Sequence, residues 1–448
     1  LEATAPPAVQ KSPLFRAILD TGPVQWRRLA GWINRAGGGL GLDVALYGLS
    51  ALFAWFTAAS STLAPHRAWG TVALVGYAAG TVLVLGQLAV RPAWPAIWGA
   101  RARMALAGGV WSATALLPLV IQAVQRAAGR TDRAQEEVLV IEDGGRRLLE
   151  TGTPYLDRTA IAALPESERL LGYLPYQPGM AIFGTPRAVN RVTTELFWWS
   201  DARVWFALVT GLALAVALVL LRRAGVRPTY LVRGLQVATV LPVCALTLAT
   251  GGDDLPVLAL CLLALALAAT RRPGWAGMAI GAAAALKLFA WPVALVLGVY
   301  VLTRGRPALL RYAAGALGIP VVTAIPALLV GHGALVENVF AFPLGRGLVT
   351  SPAASPLPGH LLATSLPGGR VIVMVLVLLA GIGFAVLLAR RPPRTVAQTS
   401  LLSGYGLLVL MLLLPATRFG YLLYPAALLV WAATLRVRPE NTTPPSRP

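Results

Sequence analysis

The sequence predicts an all-α fold: a polytopic membrane helical bundle of about 12 segments with one large outer loop. Three observations predict it. Of 448 residues, 57% are hydrophobic and only 12% are charged, about half the roughly 25% of a soluble domain. Several apolar runs reach 18 residues or more, the length that crosses about 30 Å of hydrocarbon. The remaining charge is bunched between those runs. One soluble core could not hide this much apolar surface, so lipid must act as the solvent.

The net charge is +20, and the only lysines are Lys11 and Lys287. A GC-rich codon bias accounts for the abundant Arg. The arginines cluster beside apolar spans, where they set orientation, so nucleic-acid binding is excluded as the meaning of the charge. Cys244 and Cys261 fall in predicted spans and read as small buried apolar residues, with no disulfide or metal implied. Residues 1–42 read as a cytoplasmic arm, residues 1–40 carry no signal-peptide pattern, and residues 439–448 read as a disordered cytoplasmic tail.

The membrane domain is expected over 43–438. Its spans are predicted at 43–63, 69–90, 104–124, 202–221, 230–250 and 255–270, then at 309–330, 371–388, 396–414 and 420–435. Between them lies an apolar stretch, 275–303, with Arg271 and Arg272 before it and Arg304, Arg306 and Arg311 after it. A single crossing would put one basic cluster outside. Two half-length helices meeting near Lys287 and Pro292 keep both inside, and Pro292 supplies a break because it has no amide proton to donate. With the N-terminus inside, Arg91, Arg101, Arg103, Arg222, Arg223, Arg227, Arg390, Arg391, Arg394, Arg436 and Arg438 also fall inside, as do Lys11, Arg16, Arg27, Arg28 and Arg35. The outer loops are then 125–201 and 332–370, plus 415–419.

Of 18 acidic residues, eleven lie between Asp132 and Asp201, and none sits deep inside a predicted span. Ion-driven transporters usually carry ionisable groups near mid-membrane and are often built from repeats. No repeat is evident here, and the acids gather at one water interface, as an external active site would require. The richest stretch runs from Glu136 to Tyr155. Glu136, Glu137, Glu142 and Asp143 flank a short apolar run, followed by Gly144-Gly145 and an amphipathic piece with Leu148 and Leu149. A solvated surface helix and a catalytic carboxylate are both open readings of it.

This stretch resembles glycosyltransferase family 87, the polyprenol-phosphate-mannose-dependent mannosyltransferases of actinobacteria, which have the GT-C fold. The match places the family's acid on Glu137, followed by Val140, Ile141, Gly144-Gly145, Leu148-Leu149, Gly152 and Tyr155. The family usually has Asp at the first of these positions and Tyr where Ile141 stands, so Glu142 and Asp143 compete for the role. Tyr173-Leu174-Pro175-Tyr176-Gln177-Pro178, the Gly/Ala-rich run through Lys287 to Pro292, and Pro415 to Tyr421 extend the resemblance over roughly 104–435. The first two spans look like an addition to the family core.

The resemblance implies mannose transfer from a polyprenyl phosphate to an external glycan or glycolipid, in the plasma membrane, without a cofactor. A phosphodiester leaves without protonation, so the chemistry needs one carboxylate base and cations for the developing charge. Single displacement at the anomeric carbon inverts it, as in inverting glycosidases. Glu137 is the expected base, with Glu142 and Asp143 in reserve. Lys287, Arg418, Arg346 and His332 are candidates for the phosphate; His360 could also reach it. Asp253, Asp254, Tyr176, Gln177, Asp201 and Tyr421 are candidates for sugar or acceptor.

Each has a plainer reading. Lys287 could pair with Asp253 or Asp254, or snorkel. The two aspartates could simply sit at the positive end of a helix, Asp201 could cap one beside the Trp198-Trp199 belt, and the histidines could be solvated. No Gly-Lys-Ser/Thr phosphate loop and no metal-ligand spacing is present, so neither nucleotide nor metal is indicated. A transporter or lipid-linked sugar flippase without covalent chemistry is the alternative function, and a non-catalytic scaffold a third.

Overall fold

A computed structural model describes residues 36–91, 94–190 and 197–436. Lys11, Arg16, Arg27, Arg28, Arg35, Arg438 and the tail 439–448 lie outside the described residues, so the orientation and disorder read from them do too. The long helices are α1 (Leu40–Ser60), α2 (Ala64–Val90), α3 (Ala100–Ala127), α4 (Glu136–Thr151), α5 (Ala202–Arg223), α6 (Pro228–Val240 continued by Pro242–Thr250), α7 (Asp254–Ala269), α8 (Pro273–Leu286), α9 (Ala290–Leu302), α10 (Arg306–Ala341), α11 (Gly369–Arg390), α12 (Val396–Leu413) and α13 (Phe419–Thr434). Among the described residues, 7 helices are long and apolar enough to cross a membrane: α1, α2, α3, α5, α10, α11 and α12. The bent α6 would make 8, and α7, α8, α9 and α13 are shorter apolar helices.

Prolines shape two of these elements, and α2 repairs both. In α3, Pro118 cannot donate to Thr114, and the helix passes through a π-turn at Ser112–Leu116. The indole of Trp69 donates to the Thr114 carbonyl at 2.7 Å. In α6, Leu241 precedes Pro242 and takes extended backbone (ψ 130°), as a residue before proline prefers. The helix bends there by 44°, and the Tyr77 hydroxyl donates to the Val240 carbonyl at 2.6 Å. Buried Asp43 of α1 accepts from Arg103 of α3 at 2.6 Å and also holds Arg233 of α6. The first two spans are thus locked into the bundle by specific polar contacts.

The stretch 273–302 turns back on itself, as its flanking charges predict. Small residues show the direction of each arm. A Cβ on Gly274 would meet Arg311, one on Gly277 would meet Tyr312, and one on Gly281 would meet Gly315, so α8 and α10 run parallel. Such close backbone approach is what a Gly-x-x-x-Gly face permits. The Tyr312 hydroxyl donates to Ala294 at 2.6 Å, and Gly298 also faces Tyr312. Helix α9 therefore descends beside α10 towards the Thr303–Gly305 turn, antiparallel to α8. At 14 and 13 residues, the arms are about 20 Å long each. The break falls at Lys287-Leu288-Phe289. Pro292 lies in the first turn of α9, where no helical donor is lost.

The segment expected as an outer loop, 125–201, folds around α4 over its described residues. Gly152 ends α4 in the left-handed region (φ 78°), where a side chain is disfavoured. Gly145 and Gly184 let α4 lie backbone-to-backbone against Pro178–Gly184: a Cβ on Gly184 would stand 2.0 Å from the Ile141 carbonyl. The predicted outer loop 332–370 is partly helical. It holds the last turns of α10, past an extended residue at Gly331 (φ −177°, ψ 88°), and a short helix at Pro358–Ser365.

Candidate functional site

A cavity of about 380 Å³ opens where α4, the α8–α9 break and the segments 170–176, 339–353 and 414–421 meet. Glu136, Glu137, Tyr176, Lys287, Arg418 and Tyr421 are its chemistry-bearing walls, along with Tyr173. Apart from Ser351, the rest of the lining among the described residues is apolar. Residues separated by 280 positions in the chain are brought here by three local devices.

Helix α4 starts at Glu136, so both glutamates sit in its first turn, at the positive end of the helix dipole. Its start is pinned by the Gln135 amide, which donates to the Thr250 carbonyl at 3.0 Å, and by the Thr250 hydroxyl on Gln135 Oε1 at 2.9 Å. Lys287 is the extended residue that ends α8. The Gln177 amide donates to the Leu286 carbonyl at 3.1 Å, which seats Tyr176 over the lysine. Arg418 is held by a short parallel pairing of two loops: the Ser355 amide donates to Thr417 O and the Thr417 amide to Ala353 O, both at 2.9 Å.

The charges interlock. Lys287 Nζ donates to Asp253 Oδ2 at 2.7 Å and to Asp254 Oδ1 at 2.5 Å. Its ammonium lies 5.1 Å from the Tyr176 ring and 5.3 Å from the Tyr421 ring, over their electron-rich faces. The Tyr424 hydroxyl donates to Asp254 at 2.8 Å. Arg418 forms an ion pair with Glu137. Burial works against its charge, but Glu137 and the phenols of Tyr421 and Tyr176 more than offset this and raise its pKa. Burial pushes the Tyr176 phenol well up, so it stays a protonated donor.

The remaining candidates sit elsewhere. Glu142 is 3% exposed and does not line the cavity. It accepts a bidentate pair from Arg126 at 3.0 and 2.9 Å and receives the Ala202 amide at 3.3 Å. Asp201 accepts from Arg126 at 2.5 Å and from Arg203 at 2.9 Å, and its side chain caps α5 through the Arg203 amide. Burial opposes its ionisation, but Arg203 and Arg126 hold the carboxyl below the usual range. Both acids are engaged in ion pairs that clamp α3, α4 and α5 together, away from the cavity lining. A buried pair broken on one side loses about 3–5 kcal/mol. Glu142→Gln should therefore lower the thermal midpoint of the purified protein strongly, while whatever folds keeps its KM for donor.

Asp143 meets Arg146 at 3.7 Å outside the cavity. Gln177 contributes its backbone. Arg346 is exposed and gives its carbonyl to Arg158 at 3.0 Å. His332 is exposed on α10 rather than in a loop, and His360 Nδ1 lies 2.9 Å from the Pro415 carbonyl. None of these five lines the cavity.

Sequence reasoning missed a second clamp. Arg158 pairs with Glu337 at 2.9 Å, Tyr173 donates to the same carboxylate at 2.8 Å, and the Leu348 amide donates to the Tyr173 hydroxyl at 2.8 Å. Tyr173 also stacks on Phe342, ring centres 4.2 Å apart. This draws 337–348 over the cavity. The lone acid in a long basic stretch, Glu337, was the available signal. Among the described residues, no group of three or more His, Cys, Asp or Glu could hold a metal ion.

No curated protein and no solved structure matches this chain. The sequence model of glycosyltransferase family 87 matches residues 173–415, more than half of the chain. The matched part carries Tyr176, Asp253, Asp254 and Lys287; Glu137 lies before it, Arg418 and Tyr421 just after. The cavity is thus built around the matched region, at one end of an apolar helical bundle, and the chain belongs to glycosyltransferase family 87, a family of membrane glycosyltransferases.

Proposed function

We propose that the cavity transfers mannose from a polyprenyl-phosphate donor to a glycan or glycolipid on the outer side of the plasma membrane, with inversion, in a GT-C bundle of twelve membrane segments. One observation carries this reading: Glu137, Lys287 and Arg418 face a single cavity at the end of a membrane bundle. Among the described residues, Glu136 and Glu137 are the carboxylates that line it, and Glu136 is exposed while Glu137 is half-buried against Arg418.

The donor's phosphodiester takes Arg418 away from Glu137, and the freed carboxylate accepts the acceptor's proton as the hydroxyl oxygen attacks the anomeric carbon. The bond from that carbon to the phosphate oxygen breaks, and polyprenyl phosphate leaves with the electron pair. Lys287 has three N–H donors, two of them spent on Asp253 and Asp254, and the third serves the phosphate. Fixed cations cost no reorganisation as the charge develops. Tyr176 and Tyr421 present hydroxyls to the sugar.

The test is incubation of purified protein with polyprenyl-phosphate mannose and extracted envelope glycolipids, read by mass spectrometry. A product heavier by one hexose, absent with a nucleotide sugar as donor, is expected. Substrate movement across vesicles without any covalent product would instead support a flippase.

A further inference from the structure

We propose that the end of the bundle opposite the Glu137 cavity carries a binding site for an anionic phospholipid, with its headgroup phosphate on Arg390, Arg391 and Arg394 and its acyl chains in the cleft between α11, α12 and α9. A second cavity, about 1030 Å³, occupies this cleft. Its walls are mostly apolar, with Val296, Phe384 and Leu402 among them beside Ser403 and Tyr405, and Arg390, Arg391, Arg394 and Gln398 line it where α11 turns into α12. Among the described residues, no carboxylate lines it. A mostly apolar cleft with three exposed arginines at one end matches a molecule with chains at one end and a phosphate at the other. Basic pockets between membrane helices hold such headgroups, and guanidinium groups grip phosphate with two parallel donors.

The basic end is built rather than frayed. Thr395 caps α12 by accepting the Gln398 amide at 3.1 Å, Gln398 accepts the Arg394 amide at 2.8 Å, and Arg304 reaches the Arg394 carbonyl at 3.4 Å. Pro392 and Pro393 stiffen the turn between. Meanwhile α11 is the least embedded of the spanning helices: 11% of its apolar window is buried, against 22–39% in the other six. Gly381 and Gly383 on α11 line the cleft, and a Cβ on either would meet nothing within 4 Å. Space is left on this face that a chain can fill. Pro292 and Leu410 line both cavities, so an occupant here would abut the wall of the Glu137 cavity.

The test uses native mass spectrometry of the full chain in detergent, titrated separately with phosphatidylglycerol, phosphatidylcholine and inorganic phosphate. Arg390→Ala with Arg394→Ala removes two of the three headgroup contacts; Gly383→Trp fills the cleft without touching the arginines. Phosphatidylglycerol should bind wild type in preference to phosphatidylcholine. It should bind the double arginine variant about 25-fold more weakly, some fivefold per arginine, and the Gly383→Trp protein as weakly. Equal retention of both lipids by all three proteins overturns the proposal, as does binding of inorganic phosphate alone at the same level. Displacement of phosphatidylglycerol by a short polyprenyl phosphate, with the arginine variants unaffected, also overturns it and gives the cleft to the donor's chain.

Discussion

Replacing Glu137 with Gln is expected to lower transfer about 10²–10⁴-fold, the usual worth of a general base, with little loss of folded protein. The amide keeps the size of the side chain and can still accept a hydrogen bond from Arg418, so the loop pairing that holds Arg418 is not disturbed. What it cannot do is take up a proton. The defect should fall on kcat, because the substrate loses a partner needed only as the acceptor hydroxyl ionises. The measurement is initial-rate transfer at equal amounts of monodisperse protein. The contrast with Glu142→Gln is part of the prediction. Glu142 holds Arg126 and the start of α5, so its loss acts on stability, whereas the loss of Glu137 acts on turnover. If Glu137→Gln transfers near-normally, the proton acceptor lies elsewhere, and Glu136 is the next carboxylate on the cavity wall.

The second large effect is expected at Lys287. Asp253 and Asp254 are 3% and 4% exposed, and Lys287 is their shared counter-ion. Lys287→Ala leaves two carboxylates buried side by side without a cation. Breaking a buried pair from one side costs about 3–5 kcal/mol, a large part of the stability of an ordinary domain. The thermal midpoint should fall steeply. Adding Asp253→Asn and Asp254→Asn removes the stranded charges and should restore much of it. Transfer should not return in the triple variant, because the donor phosphate still lacks its ammonium. Recovery of transfer along with stability would mean that Lys287 is only a structural partner of the two aspartates.

The long apolar helices α1, α2, α3, α5, α10, α11 and α12 are legible in the sequence because hydrophobic run length is a strong signal that lipid imposes directly. The turn at Lys287 is legible too, since two basic clusters 30 residues apart cannot both stay on one side of a straight crossing. The faces of α4 are harder to read. Glu137 and Glu142 are five positions apart, about 140° around a helix, and nothing local tells which face meets the cavity. That choice is made by Gly145 and Gly184, which set α4 against Pro178–Gly184, and by Arg126 and Arg203, which draw Glu142 and Asp201 to the other side. The same limit applies to Asp253 and Asp254. Helix-dipole reasoning assigns them to the start of α7, and they do stand there, but both turn on Lys287 rather than capping the helix. The bends of α3 and α6 are visible as Pro118 and Pro242; their repair by Trp69 and Tyr77 of α2 depends on contacts across 45 and 163 positions.

Cryo-electron microscopy of the full chain with a non-transferable donor, a polyprenyl phosphonate joined to mannose through carbon, would show where the donor sits. The phosphonate is expected within hydrogen-bonding distance of Arg418 and Lys287, with the Glu137 carboxylate turned away from Arg418 and an acceptor-sized gap between it and the anomeric carbon. Density for the headgroup anywhere else, with the Arg418–Glu137 pair still closed, would contradict this placement.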